Sequence, residues 1–146
     1  MSKINRIKSS LVDTKKEINF VFNGKKYKGF KGDTLGSALL ANNIKLIGRS
    51  FKYHRPRGII SHGSEEPNGL VEVINDHYNE PNTKITIIEL YEGLKAKSQN
   101  CWPSVKYDLM SINDKLSNFI SAGFYYKTFM WPSSFWEKIY EPLIRK

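Results

Sequence analysis

The first alternation of apolar and polar residues along the chain predicts a β-hairpin. Residues 17–22 alternate and are rich in β-forming side chains, and residues 25–30 follow as a second strand. Asn23 and Gly24, which lie between them, form the strongest short hairpin signal that a sequence offers. We therefore expect two antiparallel strands joined by a tight turn.

Helical spacing follows this hairpin. Apolar residues at positions i, i+3 and i+4 predict a helix over residues 35–41. Its predicted buried face consists of Leu35, Ala38 and Leu39. Asp33 or Thr34 can cap the start of the helix, because a short polar side chain there accepts a hydrogen bond from a free backbone N–H group.

The rest of the first ninety residues predicts three more strands. They cover residues 44–47, 69–74 and 82–90, with a turn over residues 75–81. Residues 48–68 show no periodicity, and an irregular connection of this length is usually functional. Together these elements predict an α+β roll, in which a mixed sheet is crossed by one helix.

The last third of the chain has a different pattern. Apolar residues at helical spacing predict a helix over residues 108–120, and residues 124–131 are rich in aromatic side chains. Ser134 and Glu137 match a capping box that opens a second apolar helix, which Pro142 should kink or loosen. A chain of this size has difficulty burying so many apolar residues, so we expect this part to dock on another domain, another subunit or a continuation of its own chain.

These patterns divide the chain into three parts. We expect an N-terminal arm over residues 1–16 and an α+β domain over residues 17–95. Residues 96–146, which we call the extension, are expected to dock on the rest of a larger protein.

Positive charge is concentrated in the first part of the chain. The formal net charge is +9. Residues 1–58 carry 14 basic and 3 acidic side chains, whereas residues 59–146 carry 9 basic and 11 acidic ones. Such a pole attracts anions, whether nucleic acid, a phosphate-bearing cofactor or an acidic protein surface.

The strongest candidate for function is residues 48–58, which we call the basic segment. Its cations are Arg49, Lys52, Arg55 and Arg57, and they are interleaved with the rings of Phe51, Tyr53 and His54. Guanidinium groups bind phosphate or carboxylate bidentately, and the rings can stack on flat molecules or pack under an arginine. Three interpretations stay open. The segment can form an anchoring or interface network, with Glu65 and Glu66 as internal partners; it can contact the phosphate of a flavin or nucleotide; or it can bind nucleic acid or be plain surface.

Catalytic and metal-binding patterns are weak. The chain has no glycine-rich nucleotide motif, no Gly-x-Ser-x-Gly and no His-Glu-x-x-His. The spacing of His54, His62 and His77 specifies no metal site. The single Cys101 excludes an intrachain disulfide and any cysteine-only metal site, and with no basic neighbour along the chain it is expected to be an inert thiol. We predict no catalytic residue and no metal ligand.

The expected location is the reducing cytoplasm. No apolar run approaches the roughly 20 residues of a membrane helix, which rules out a spanning protein. The charged first residues lack the apolar core of a secretory signal, and cysteine is nearly absent.

Several long motifs resemble the N-terminal part of the α subunit of heterotetrameric sarcosine oxidase. They are residues 48–58 (GRSFKYHRPRG), 63–73 (GSEEPNGLVEV), 80–83 (EPNT), 98–104 (SQNCWPS), 122–132 (AGFYYKTFMWP) and 135–145 (FWEKIYEPLIR). The match covers about residues 17–146, and motifs of this length make it specific.

This resemblance implies a β-grasp, ferredoxin-like fold, which agrees with the α+β roll. Related proteins carry a [2Fe–2S] cluster on the loop before the strand at 69–74, held by several cysteines. In this sequence, residues 48–68 contain no cysteine, and Ser64, Glu65, Glu66 and Pro67 stand there instead. We therefore expect a ferredoxin scaffold without its redox centre.

The resemblance also implies what surrounds this chain. The family's α subunit continues into a dinucleotide-binding domain and a folate-binding domain, partner subunits carry FAD, and FMN lies at a subunit interface. NAD, FAD, FMN and tetrahydrofolate then belong to the assembled enzyme, and no cofactor is expected in this chain. The expected partners are the remaining domains of the α subunit and the flavin-bearing β subunit. The chain is then a fragment of a longer subunit or a split gene product, and its end, just after an apolar stripe, favours a fragment.

The expected function is that of a non-catalytic, N-terminal structural or interface domain that is inactive alone. The assembled enzyme would oxidatively demethylate sarcosine to glycine, with electrons passing from FAD to FMN to oxygen and the one-carbon unit captured on tetrahydrofolate. An alternative from another class is a basic module that binds single-stranded nucleic acid, although nucleic acid would not cover the aromatic residues at 124–131. A third hypothesis is an accessory domain of a related amine or opine dehydrogenase.

Overall fold

The computed structural model describes residues 5–7, 11–118 and 135–145. It confirms the predicted hairpin: β1 (Asp13–Phe22) pairs antiparallel with β2 (Lys25–Lys31). Asn23 and Gly24 turn the chain with φ angles of 50° and 74°. Both angles lie in the left-handed region, which Asn and Gly adopt at the lowest cost.

The predicted helix is also confirmed, as α1 (Leu35–Ala41). Its cap is Thr34, whose hydroxyl accepts from the N–H of Ser37, while the Ser37 hydroxyl accepts from the N–H of Thr34. This reciprocal pair satisfies two backbone donors at the start of the helix. The predicted face packs into the core, where Leu35, Ala38 and Leu39 are fully buried.

The sheet strands that follow α1 are β5 (Leu70–Ile74), β6 (Asn79–Lys84) and β7 (Lys95–Ser98). Among the described residues, five strands form one mixed sheet in the order β2-β1-β7-β5-β6, and only its β1–β7 pair is parallel. Helix α1 covers one face of the sheet, and its apolar side chains join those of the strands in one core. The α+β fold class is therefore confirmed.

Two strand predictions were wrong. Residues 44–47 form no strand; Ile47 is buried but lies outside the ladder, and the strand pair begins one residue later, as β3 (Gly48–Arg49) and β4 (Pro56–Arg57). The strand predicted at 82–90 instead spans Asn79–Lys84, because Ile85 enters the core from a turn while Ile87 faces outward. β6 lies at the edge of the sheet, where a proline is tolerated.

The expected domain boundaries fall inside strands. β1 begins at Asp13, before the end of the arm at residue 16, and β7 crosses the boundary at residue 95. β7 was not predicted, since its sequence Lys-Ala-Lys-Ser looks polar, yet Ala96 and Ser98 are both buried. The sheet thus extends a few residues beyond both ends of the expected domain at 17–95, and the division into arm, domain and extension stays a prediction.

Arg6 forms an ion pair with Asp33, whose side chain is fully buried. Arg6 donates both terminal nitrogens to the carboxylate of Asp33, and its guanidinium lies 5.0 Å from the centre of the Phe30 ring. Asp33 also accepts from the N–H of Phe30 and the hydroxyl of Ser37. Burial alone would raise the pKa of Asp33, but these hydrogen bonds together with the Arg6 charge keep it below its ordinary value.

The helix predicted over residues 108–120 is not formed as one long helix. In place of a long helix from residue 108, a 3-10 turn (Leu109–Ser111) leads into the short helix α2 (Ile112–Lys115). Residues 119 and 120 of the predicted helix, the aromatic run at 124–131 and the Ser134 cap lie outside the described residues.

Near the end of the chain, a π-helical turn (Trp136–Tyr140) passes into helix α3 (Glu141–Arg145). This wider turn lies on the N-terminal side of Pro142, which donates no backbone hydrogen bond. No helix in the described part of the chain is long and apolar enough to cross a membrane.

Candidate functional site

The basic segment folds as a tight hairpin against the extension. β3 and β4 pair Gly48 with Arg57 and Arg49 with Pro56. Inside this pair, the Ser50 N–H donates to the Arg55 carbonyl and the His54 N–H donates to the Ser50 carbonyl, each over 2.9 Å. His54 adopts a φ of 53°, which closes the turn. The local hairpin therefore brings the four cations of the segment into one small region.

Arg49 is turned inward and its donors are used within the chain. Its Nη1 donates to the carbonyl of His54 over 2.7 Å, and its Nε donates to the carbonyl of Val105 over 2.8 Å. Its Nε also lies 3.6 Å from Oδ2 of Asp108, and only 10% of the Arg49 side chain is exposed. A guanidinium held in this way fixes the hairpin to the extension and leaves little to offer a ligand.

Asp108 is the acidic centre of this contact. Its side chain is fully buried, and Oδ2 lies 2.8 Å from Nδ1 of His54. The other oxygen, Oδ1, accepts from the N–H of Trp102 over 2.9 Å. Arg49, His54 and Asp108 therefore form one buried network that joins the basic segment to the extension.

Two cations of the segment, the half-buried Lys52 and the exposed Arg55, lie against one ring. The Lys52 ammonium lies 4.7 Å, and the Arg55 guanidinium 4.8 Å, from the centre of the Tyr53 ring, within cation–π distance. The Nε of Arg55 also donates to Oδ1 of Asp114 over 2.6 Å, in a pair whose side chains are about half exposed. Such a surface pair contributes little to stability, so the charge of Arg55 remains accessible at the surface.

Arg57 faces a cavity. Its Nη1 donates to Oδ1 of Asn68 over 2.9 Å, and among the described residues no carboxylate lies within ion-pair distance of it. The cavity has a volume of about 440 Å³, and its lining includes Arg49, Arg57, Asn68, Asn82 and the acidic Glu141. Arg57 keeps guanidinium donors there, whereas Arg49 uses its donors within the chain.

The internal partners differ from those expected. The cations of the segment pair with Asp108 and Asp114 of the extension; neither Glu65 nor Glu66 pairs with them among the described residues. Sequence reasoning missed the role of Asp108 as a partner of the basic segment, because an aspartate before an apolar run is typical of a helix cap. It does cap, accepting from the N–H of Met110 over 3.3 Å, but its contacts with Arg49 and His54 span more than fifty positions.

Glu66 has a separate role in the adjoining loop. Its side chain is buried, and its two oxygens accept from the backbone N–H groups of Ile60, Ser61, Asn68 and Gly69. Burial would raise the pKa of Glu66, but these four hydrogen bonds hold it below its ordinary value. The group is therefore an anion at neutral pH.

The residues present do not fit the [2Fe–2S] cluster that the resemblance implies for related proteins. Such a cluster needs four thiolate ligands, or two thiolates and two imidazoles, and this chain has one cysteine. Burial, together with the charge of Asp108, raises the pKa of Cys101 to about 11, although Arg49 and Lys97 lie near it in space. The thiol is protonated at neutral pH, and it is the count of one cysteine that leaves the donor set short of a cluster.

Comparison with known proteins shows which families and proteins this chain is similar to. Residues 15–101 match the family of 2Fe-2S iron-sulfur cluster binding domains. The chain is 56% identical over 146 residues to the sarcosine oxidase subunit alpha of Rhizobium meliloti (strain 1021), covering 100% of this chain and 15% of that protein. It is 39% identical over 82 residues to the sarcosine oxidase subunit alpha of Corynebacterium sp. (strain U-96), covering 54% of this chain and 8% of that protein. These alignments confirm the resemblance seen in the motifs.

A solved structure described as "Crystal structure of L-proline dehydrogenase from P.horikoshii" overlaps 61% of this chain and 16% of its own. Its sequence identity with this chain is 25%, and the TM-score is 0.46. The chain spans 15% or less of the length of the two curated relatives described above.

Proposed function

The chain belongs to the family of 2Fe-2S iron-sulfur cluster binding domains, and from this premise we propose that it is a non-catalytic, N-terminal structural domain of a sarcosine oxidase α subunit. The proposed assembly oxidatively demethylates sarcosine to glycine in the cytoplasm. FAD, FMN, NAD and tetrahydrofolate are bound by other parts of that assembly. The observation that carries the proposal is the 56% identity to one sarcosine oxidase subunit alpha, combined with a donor set that cannot hold the family's cluster.

The surface of the extension supports a packing role. Between positions 102 and 116, the exposed large apolar side chains are Trp102, Tyr107, Leu109, Met110, Ile112 and Leu116. Leu109 is 63% exposed and Tyr107 71%. A concentration of apolar surface of this kind is typical of a face that another protein surface covers. The proposed cover is the remainder of the α subunit.

The basic segment supplies the proposed contact with a partner. Arg49 fixes the hairpin from inside, while Lys52, Arg55 and Arg57 present positive charge outward or into the cavity. Their proposed target is an acidic surface of the flavin-bearing β subunit or the phosphate of FMN at the interface. An arginine fork suits both, since carboxylate and phosphate each accept it bidentately.

This contact is tested by the double variant Arg55→Ala/Arg57→Ala in the assembled enzyme. We expect reduced FMN retention or reduced subunit affinity. Lys25→Ala/Lys26→Ala is the matched control, because it removes the same charge from the exposed hairpin turn. If both retention and affinity stay at their wild-type values, these arginines are inert surface.

The function itself is tested by native purification through a tag on this chain. The captured assembly should contain flavin and form hydrogen peroxide when sarcosine is added, whereas the chain alone should do neither. Activity with another secondary amine or an opine, but not with sarcosine, would favour an accessory domain of a related dehydrogenase. Tight, strongly salt-dependent binding of single-stranded nucleic acid, without flavin in the captured material, would favour the nucleic-acid module.

A further inference from the structure

The loop before β5 is folded around one buried carboxylate. Glu66 is 0% exposed. Its Oε2 accepts from the N–H groups of Ile60 and Ser61 over 2.8 and 2.7 Å, and its Oε1 accepts from those of Asn68 and Gly69 over 2.7 and 2.8 Å. Among the described residues, no lysine, arginine or histidine forms an ion pair with it. The charge of Glu66 is therefore balanced by backbone dipoles.

This arrangement makes the fold of the loop depend on an anion. The four amides come from two separate stretches of chain, and their N–H bonds converge on one point, as in the concave backbone sites that bind anions. Without an acceptor at that point, the buried N–H group of Gly69 and three part-buried N–H groups would lose their partners, and a folded chain rarely tolerates such a loss at a buried donor. A buried carboxylate in turn needs several such donors to remain charged.

The family of this chain is named for a bound cluster, and this chain lacks the thiolates to bind it. We infer that the Glu66 carboxylate is the anion that holds this loop in its fold, in a chain whose residues cannot hold the cluster of its family. The inference rests on the loop geometry, and it does not depend on the identity of the enzyme that the chain serves.

Amide hydrogen exchange in the full chain tests this inference. Glu66→Gln keeps the length and shape of the side chain but removes its charge and places an NH₂ group opposite two N–H donors. We expect exchange at Ile60, Ser61, Asn68 and Gly69 to quicken about tenfold or more, while the buried strand amide of Val71 changes little. The matched control is Glu65→Gln, which removes the same charge from the neighbouring exposed position and should leave all five amides unchanged.

Glu66→Asp separates charge from shape. Asp keeps the anion but is shorter, whereas Gln keeps the length but is neutral. The inference predicts that the Asp variant protects the four amides better than the Gln variant, or that it folds where the Gln variant does not. Equal protection in the two variants, better protection in the Gln variant, or a change of less than about twofold in Glu66→Gln would overturn it.

Discussion

Replacing Asp108 by asparagine tests the network that joins the basic segment to the extension. The substitution keeps the size of the side chain but removes the charge that faces Arg49 and His54. It also replaces one carboxylate oxygen by an NH₂ group, which cannot accept a hydrogen bond from donors such as the N–H of Trp102. The Arg49 guanidinium then stays buried without its counter-charge.

The expected cost follows from the burial of the pair. Breaking one partner of a buried ion pair costs about 3–5 kcal/mol. Arg49 keeps the carbonyls of His54 and Val105 as acceptors, so we expect the lower end, about 3 kcal/mol. For a chain of this length, such a loss lowers Tm by roughly 6–12 °C.

The assay is urea or thermal unfolding followed by circular dichroism. Asp114→Asn is the matched control, because it removes the same charge from the extension but breaks the half-exposed pair with Arg55. Its expected cost is about 0–1 kcal/mol. Equal stabilities of Asp108→Asn and Asp114→Asn would refute the reasoning, because burial would then not decide what each pair contributes.

Three further predictions concern Arg6, the carboxylates of Asp33 and Glu66, and the Cys101 thiol. Arg6→Ala should lower the free energy of unfolding by about 3 kcal/mol, because it leaves the buried Asp33 carboxylate without its counter-charge; a loss below about 1 kcal/mol in urea unfolding would contradict this role of Arg6. The native pKa values of Asp33 and Glu66 lie below their ordinary values of 3.8 and 4.5, so their contribution is complete above those values and is lost as pH falls through the lowered ones. As pH is lowered, the free energy of unfolding should therefore fall less steeply for Asp33→Asn than for the wild type, and equal slopes would contradict the lowered pKa of Asp33. Cys101, with its pKa raised from 9.0 to about 11, should react with iodoacetamide at neutral pH about 100-fold more slowly than in the unfolded chain, and similar rates in both states would contradict the raised value.

Local signals predicted the elements that local chemistry determines. Asn23 and Gly24 predicted the hairpin because few other residues adopt its left-handed turn. The helical spacing of Leu35, Ala38 and Leu39 predicted the face that α1 buries. β7 escaped prediction because it is short and its lysines face outward, so only its position in the sheet makes it a strand.

The candidate site was predicted only in part. The basic segment stood out by composition, but composition could not show that Arg49 uses its donors within the chain while Arg57 makes one hydrogen bond, to Asn68. The partners of Arg49 include Asp108, which lies 59 positions along the chain. The role of Glu66 was likewise hidden, because its partners are backbone N–H groups that every sequence contains.

Anaerobic reconstitution of the full chain with iron and sulfide tests the central claim most directly. A family member that carries the cysteines should gain two irons and the visible absorption of a [2Fe–2S] centre under the same treatment. We predict that this chain stays colourless and retains no iron after desalting, while its circular dichroism and Tm remain as before. Two tightly bound irons per chain, with the absorption of the cluster, would contradict the claim that this domain serves the assembly through its structure and not as an electron carrier.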